Sequence, residues 1–136
     1  MTNDELSNDE GITKSQCPKK KYDLEERTAL FGEQVVRFAR KIPESSITRS
    51  LINQLIRAAT SVGANYCEAD DAFSKKEFIY KIATCRKEAK ETKHWLRMII
   101  IAYPRLIDEA QQHKREAQEL NLIFSSIVNK TRKGRK

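Results

Sequence analysis

Two helical patterns meet in residues 47–82, ITRSLINQLIRAATSVGANYCEADDAFSKKEFIYKI. In the first, apolar side chains recur every three or four residues, the spacing that keeps them on one face of an α-helix. They are Ile47, Leu51, Leu55, Ala58 and Val62, flanked by Ile52, Ile56, Ala59 and Tyr66. The second pattern opens with Ser74-Lys75-Lys76-Glu77, a capping box in which the serine hydroxyl and the glutamate carboxylate each accept a hydrogen bond from a free backbone N–H. The segment therefore predicts two helices joined by a short turn, the first running from Ser45 or Ser46 to about Ala69.

Two further helices flank this pair. An earlier helix begins near Tyr22 and ends at Ile42, because Pro43 disfavours helical backbone in the residue before it. Its apolar face contains Phe31, Val35, Phe38 and Ile42. The third helix ends near Tyr103, and Pro104 suits the first position of a fourth helix. The apolar positions of that fourth helix are Leu106, Ala110, Ala117, Leu120, Phe124 and Ile127. Four amphipathic helices with short connections predict an all-α fold, an antiparallel up-down-up-down four-helix bundle.

The length of 136 residues suits a single domain with one core. Residues 1–21 show no apolar periodicity and contain Gly11, Pro18 and a run of three lysines, so we expect a disordered leader. The bundle is predicted over residues 22–129. Residues 130–136 form a basic tail that we expect to fray.

Composition narrows the class of protein further. The longest apolar run, Met98 to Tyr103, is about a third of the roughly 18 residues that a membrane-spanning helix needs, so no membrane partner is expected. The N-terminus is acidic and polar, whereas a signal peptide is basic and then apolar. Cys17, Cys67 and Cys85 lack the paired spacing of a disulfide framework or a CxxC metal site, so we expect reduced thiols. These features predict a cytoplasmic protein.

Two of the helices carry more apolar surface than one internal face requires. The second helix has the pairs Leu51-Ile52 and Leu55-Ile56, and the third ends in Met98-Ile99-Ile100-Ile101. A monomer would expose part of this surface to water. We therefore expect a homo-oligomer whose interface uses the flanking stripe of the second helix and the end of the third. The alternative is that a longer first helix or the leader covers the same surface.

The net charge of +7 favours a polyanionic partner such as nucleic acid. On the third helix, four cations fall at i, i+4, i+7 and i+11, on one helix face: Arg86, Lys90, Lys93 and Arg97. Further candidate contacts are Arg37, Arg40 and Lys41 on the first helix, Arg49 on the second, Lys75, Lys76 and Lys87 on the third, and Lys130, Arg132 and Lys133 in the tail. Few aromatic residues accompany these charges, so contacts mostly with phosphates are expected. The alternative is an ordinary solvated face, because Glu88 and Glu91 interleave with the cations and suit Glu–Lys pairs.

A second set of polar residues predicts a structural network between the second and third helices. It comprises Arg57, Asn65 and Glu68 on one helix and Glu88 and Glu91 on the other. We expect Arg57 and Asn65 to bond carboxylates of the third helix and so to fix helix register. Gly63 and Ala64 would allow the helices to approach closely at that point. An arginine holds a neighbouring carboxylate ionised, which disfavours a catalytic role for the network.

A metal site is the most obvious catalytic alternative, because Glu91-Thr-Lys-His94 is a Glu-x-x-His element of the kind that di-iron bundles use. Such a site needs a second element of this kind, and the only other histidine, His113, has Ala110 three residues before it. No metal and no cofactor are therefore expected, and we predict that the protein is not an enzyme. His94 is expected on the surface.

The central part of the chain resembles a known family. The run from Gln54 to Ala69, QLIRAATSVGANYCEA, is followed by SKKEFIYKI from Ser74 and by KEAKETKHWL from Lys87. Together these segments resemble the four-helix-bundle proteins encoded in 23S ribosomal RNA intervening sequences. The resemblance implies a ring-like homopentamer with no known catalysis and with binding of RNA or other nucleic acid. His94 departs from the pattern, since that family often has tyrosine there.

A related group, the accessory proteins of diversity-generating retroelements, is similar in fold and binds a reverse transcriptase and nucleic acid through a basic surface. The function predicted from the residues and the resemblance is a non-enzymatic, oligomeric bundle that binds nucleic acid, with RNA favoured. The alternative is a protein-interaction adaptor, such as an accessory subunit that docks a reverse transcriptase.

Overall fold

The computed structural model describes residues 23–134, so the leader expected at residues 1–21 lies outside the described residues. Within this range the chain forms helices α1 (Leu24–Arg40), α2 (Ser46–Asp70), α3 (Lys75–Ala102) and α4 (Ile107–Lys133), with a 3-10 turn at Pro104–Leu106. No strand occurs in residues 23–134. The predicted all-α four-helix fold is confirmed. None of the helices in this range is long and apolar enough to cross a membrane.

Contacts between the helices show that neighbours run in opposite directions. Between α2 and α3, Arg57 pairs with Glu88 and Glu91, whereas Glu68, further along α2, pairs with the earlier residue Lys81. The same reversal relates α3 to α4 and α1 to α4, through the pairs Lys93–Gln118 and Arg86–Asn121, and Arg27–Glu116 and Lys41–Glu109. The order of packing is α1 on α2, α2 on α3 and α3 on α4, with a smaller α1–α4 contact that closes the bundle.

The core consists of the predicted apolar faces. Its largest fully buried side chains include Phe38, Leu55, Ile82, Leu96, Leu120 and Phe124. Each such side chain stabilises the fold by about 1.5–3 kcal/mol relative to exposure to water. Ile47 is an exception to the predicted stripe, because it lies in the first turn of α2 and is 66% exposed.

Side chains cap the two central helices at their N-termini. For α2, Ser45 Oγ accepts from the Thr48 N–H at 3.1 Å, and Thr48 Oγ1 accepts from the Ser45 N–H at 2.8 Å. This reciprocal pair selects Ser45 rather than Ser46 as the cap. For α3, Ser74 Oγ accepts from the Glu77 N–H at 3.0 Å, as predicted. The Glu77 carboxylate, however, accepts from the N–H of Phe73, one residue before the cap, at 3.0 Å.

The end of α4 differs from the expectation of a frayed tail. The helix continues to Lys133, past residue 129, where the bundle was predicted to end. Its last turn contains Lys130, Arg132 and Lys133, and cations at a helix C-terminus interact favourably with the helix dipole. Lys130, Arg132 and Lys133 therefore extend the helix that precedes them, and the remaining tail residues 135–136 lie outside the described residues.

Two glycines lie where α1 crosses α2. A Cβ added at Gly63 would lie 3.3 Å from the Thr28 carbonyl oxygen, closer than an ordinary van der Waals contact. A Cβ added at Gly32 would lie 3.6 Å from the Thr60 Cα, which is an ordinary contact. The prediction that Gly63 brings α2 close to α3 is therefore wrong. Gly63 faces Thr28 of α1 instead.

We expect these two glycines to respond differently to alanine. Gly32→Ala should raise the free energy of unfolding by up to about 1 kcal/mol, since alanine favours helix and the added methyl fits. Gly63→Ala should give no gain or a loss, because the methyl group pushes on the backbone of Thr28. Urea unfolding of both variants and the wild type measures the difference. Equal stabilisation by the two substitutions would contradict the close approach at Gly63.

Candidate nucleic-acid interface

One edge of α3 faces solvent along most of its length, and we call it the α3 ridge. It consists of exposed residues spaced three, four or seven apart, which lie on one helix face: Lys76, Tyr80, Lys87, Lys90, His94 and Arg97. The ridge stands outward because α2 packs on one side of α3 and α4 packs on the other. Side chains at these positions therefore reach water rather than a neighbouring helix.

The stripe of four cations predicted on α3 is divided between two faces of the helix. Two of the cations lie on the ridge, and the other two lie on the side of α3 that faces α4. Lys90 and Arg97 belong to the ridge. Lys93 is partly buried and donates to the Gln118 side-chain oxygen on α4. Arg86 is also partly buried, and its carbonyl oxygen accepts from Asn121 Nδ2 at 3.1 Å. Lys87 lies on the ridge although it was not part of the predicted stripe. Helical spacing alone does not show which of two adjacent faces of α3 is covered by α4.

The carboxylates of α3 turn away from the ridge toward α2. Arg57 Nη1 lies 3.3 Å from Glu88 Oε1, and Arg57 Nη2 bonds Glu91 Oε1. The hydrogen bond from Arg57 holds the pKa of Glu91 below its ordinary value, and the same bond raises the pKa of Arg57. Within residues 23–134, neither carboxylate forms an ion pair with a lysine of α3. The described residues thus contain no direct Glu–Lys ion pair along α3, although the charge of Lys87 also contributes to the lowered pKa of Glu91.

The rest of the predicted polar network is only partly as expected. Arg57 reaches the carboxylates of α3, but Asn65 does not, because its short side chain donates to the Ser61 carbonyl oxygen of its own helix at 2.9 Å. Glu68 pairs with Lys81 of α3 at 2.5 Å. The network is thus two separate ion-pair contacts at different levels of the α2–α3 interface.

Several cations on other faces pair with acids. Lys41 Nζ lies 3.0 Å from Glu109 Oε1, Arg49 Nε lies 2.9 Å from Glu44 Oε2, and Arg37 lies 4.0 Å from Glu33. Arg37 and Arg40 line a groove of about 790 Å³ between α1 and α2. The same groove is lined by the acids Asp23, Glu25, Glu26 and Glu33, which makes it a poor place for a polyanion.

Arg27 forms a contact that the sequence did not predict. Its Nε lies 2.8 Å from Glu116 Oε2, and its Nη2 donates to Glu119 at 2.9 Å, so the guanidinium joins α1 to α4. These carboxylates raise the pKa of Arg27 further above its usual range, so it remains charged. Since the two helices are separated by most of the chain, only their packing brings the three residues together.

The histidines and the buried thiol occupy separate environments. His94 is exposed, and its ring lies edge-on to Trp95 with centroids 4.9 Å apart. His113 packs against Phe38 with centroids 5.3 Å apart, and burial lowers its pKa. Burial raises the pKa of the Cys85 thiol to about 12, which keeps it protonated at neutral pH. Across residues 23–134, no three His, Cys, Asp or Glu side chains are grouped so as to hold a metal ion.

The sequence was compared with known families and structures. A family model described as "23S rRNA-intervening sequence protein" matches residues 20–126. The chain belongs to this family. The match confirms the resemblance carried by residues 54–96 and extends it over nearly all of the described helices. No functionally curated protein matches the chain.

Among solved structures, the bundle is similar to a crystal structure of a protein of unknown function from the S23 ribosomal protein family of Bacteroides thetaiotaomicron VPI-5482. The two share 27% sequence identity with a TM-score of 0.69. The alignment covers 77% of this chain and 97% of the other. This 23S rRNA-intervening sequence family member therefore has a bundle of the same architecture as that relative.

Replacing Arg57 tests the electrostatic role of the α2–α3 contact. The Glu88 side chain is only 10% exposed, so Arg57→Met leaves its carboxylate without a partner and should cost about 1 kcal/mol, part of the effect being screened because Arg57 is half exposed. The pKa of Glu91 is lower in the folded state than in the unfolded state. Ionised Glu91 therefore contributes its full share to the free energy of unfolding above its unfolded pKa of about 4.3, and this share is lost as the pH falls through its folded pKa. The stability gap between wild type and variant should therefore shrink in acid.

Urea unfolding between pH 3 and pH 7 measures this gap. Arg49→Met is the matched control, because Arg49 pairs with an acid while both side chains are exposed. It should cost less than half as much at neutral pH. An Arg57→Met variant as stable as the control would mean that the bond to α3 does not stabilise the fold.

Proposed function

We propose that this chain is a non-enzymatic, oligomeric bundle that binds RNA through phosphate contacts of the α3 ridge. The observation that carries the proposal is the state of Lys87, Lys90 and Arg97. All three are exposed, and within residues 23–134 none pairs with a carboxylate. The acids nearest to them in sequence, Glu88 and Glu91, are bound to Arg57 instead.

The length and charge of the ridge suit a polyanion. From Lys87 to Arg97 it spans about 15 Å, since each helical residue advances the chain by about 1.5 Å. Lys114 lies one turn before Gln118 on α4, and Arg97 lies one turn after Lys93 on α3, so in the antiparallel register Lys114 adds a cation near that end. Binding here would release counterions from the phosphate backbone.

Two considerations favour nonspecific RNA binding. Lysine and arginine contacts to phosphate position a nucleic acid but carry no sequence information. The family's description mentions 23S rRNA, which supports RNA as the ligand to test first. The activity expected of the bundle is therefore to hold an RNA backbone rather than to transform a substrate.

Charge reversal on the ridge tests the proposal. Lys90→Glu combined with Arg97→Glu should weaken RNA binding at least about tenfold and lower the slope of log affinity against log salt by about 1–2 units, because two phosphate contacts are lost. The matched control is Lys41→Glu with Arg49→Glu, which changes the net charge equally at cations already paired with acids. Fluorescence anisotropy with labelled RNA measures both quantities over a range of salt.

Equal losses in the two double variants would show that net charge, not the ridge, determines binding. Wild-type protein that binds no RNA even at low salt would exclude RNA binding altogether.

A second part of the proposal is self-association through one end of the α2–α3 pair. A groove of about 490 Å³ there is lined by Ile47, Leu51, Met98, Ile101 and Ala102 together with the cap residues of α2. Ile47 is 66% exposed and Ile101 is 78% exposed. The end of α3 belongs to the predicted interface, whereas on α2 the groove uses Ile47 and Leu51 in place of the flanking stripe that was predicted. Several copies, each with a ridge, would bind one RNA more tightly than a single copy.

A charge placed in this groove tests self-association. Ile101→Glu should convert the oligomer to smaller species, since a carboxylate would have to be desolvated at the interface. Leu122→Glu is the control, because Leu122 is also exposed but lies on α4. Light scattering coupled to size-exclusion chromatography measures the mass. A monomeric wild-type protein would refute this part while leaving RNA binding by the single chain open to its own test.

A further inference from the structure

Two aromatic side chains at the start of α3 are exposed without any contribution to the core. Phe73, in the turn before the helix, is 99% exposed, and Tyr80, on the ridge, is 65% exposed. Burying a side chain such as Phe73 is worth about 1.5–3 kcal/mol, so its position in water leaves that stabilisation unused. An exposed aromatic pair beside a charged surface is a feature of binding sites rather than of folding.

The turn presents Phe73 on an ordered backbone. The Phe73 N–H donates to Glu77 Oε1 at 3.0 Å, and the next residue, Ser74, caps α3. Glu77 lies three residues before Tyr80 and is therefore its neighbour on the helix surface. One carboxylate thus lies between the two aromatic residues and fixes the backbone that carries the first of them.

Tyr80 lies among cations on the ridge. Lys76 precedes it by one helical turn, and Lys87 follows it by two turns. Between Tyr80 and Lys87 the same face carries Ala83, a small side chain that is partly buried. Lys81 Nζ lies 5.6 Å from the centroid of the Tyr80 ring, but its charge is taken up by Glu68.

Acidic residues lie at one end of this surface and cations along the rest of it. Asp70 and Asp71 are exposed just before Phe73, so they repel phosphate groups at that end. The cations of the ridge, from Lys76 to Arg97, attract phosphates along the rest of α3. A nucleic-acid strand whose backbone follows these cations would have its bases within reach of the aromatic rings at the start of α3.

We propose that Tyr80 and Phe73 form a stacking platform for the bases of single-stranded nucleic acid. The inference rests on the proposed RNA binding and adds the class of RNA that binds. Unpaired bases expose a face on which an aromatic ring stacks, whereas the bases of a duplex are already stacked on each other. The chain should consequently prefer single strands or loops to duplex of equal length. The sequence-based expectation of contacts mostly with phosphates changes at this end of α3.

The test compares the affinities of variants for a labelled single-stranded RNA and for a duplex of the same length. Tyr80→Ala should weaken binding of the single strand about tenfold, the effect of losing one stacked base, and should change duplex binding less than about twofold. Tyr80→Phe should keep the wild-type affinity because it keeps the ring. Phe73→Ala should weaken the single strand in the same way as Tyr80→Ala. Leu30→Ala, an exposed apolar residue on α1, is the control.

The outcomes separate this inference from the proposed function. If wild-type protein binds RNA and Lys90→Glu with Arg97→Glu weakens it, but Tyr80→Ala and Phe73→Ala do not, the ridge binds phosphate and the platform is refuted. If Tyr80→Ala weakens single strand and duplex equally, stacking is also refuted. A change in oligomer mass in Tyr80→Ala would assign the ring to contact with a second copy instead. Loss of single-strand preference in the alanine variants, with retention in Tyr80→Phe, supports the platform.

Discussion

The guanidinium of Arg57 reaches from α2 to α3 and pairs with both Glu88 and Glu91. This contact determines how charge is distributed over α3. The helix contains acids and bases in close alternation, and without Arg57 its carboxylates would neutralise its own lysines. With the acids drawn to α2, the charged side chains of the α3 ridge are lysine and arginine. The same contact joins the two central helices of the bundle.

Closure of the bundle rests on few contacts. The outer helices α1 and α4 meet over a smaller area than the other neighbours, and the Arg27 ion pairs with Glu116 and Glu119 join them. Where α1 packs on α2, Gly63 lets the backbone of α1 approach closely at Thr28. Most of the free energy of packing comes from the apolar core, whereas these polar and steric details choose one arrangement of four similar helices.

Both proposed surfaces follow from the central position of the α2–α3 pair. Each of these helices is covered by neighbours on two sides, which leaves an outer edge that the bundle itself cannot bury. On α3 that edge is charged through its middle, aromatic near its start at Tyr80, and apolar at its end, where Ile101 borders a groove shared with Ile47. The proposed RNA contacts and the proposed contact with other copies therefore lie on the same helix, the first along its middle and the second at its C-terminal end.

The helices, their order and most of the core were determined by the sequence alone, because apolar spacing, prolines and serine caps act over a few residues. Family membership was also accessible from residues 54–96. The tertiary structure decided which of two adjacent faces of α3 remains in water, and hence why Lys87 is exposed while Lys93 turns to α4. It also placed Gly63 against α1 and directed Asn65 to its own helix. These outcomes depend on the rotation of each helix about its axis, which packing of all four helices sets together and no local pattern encodes.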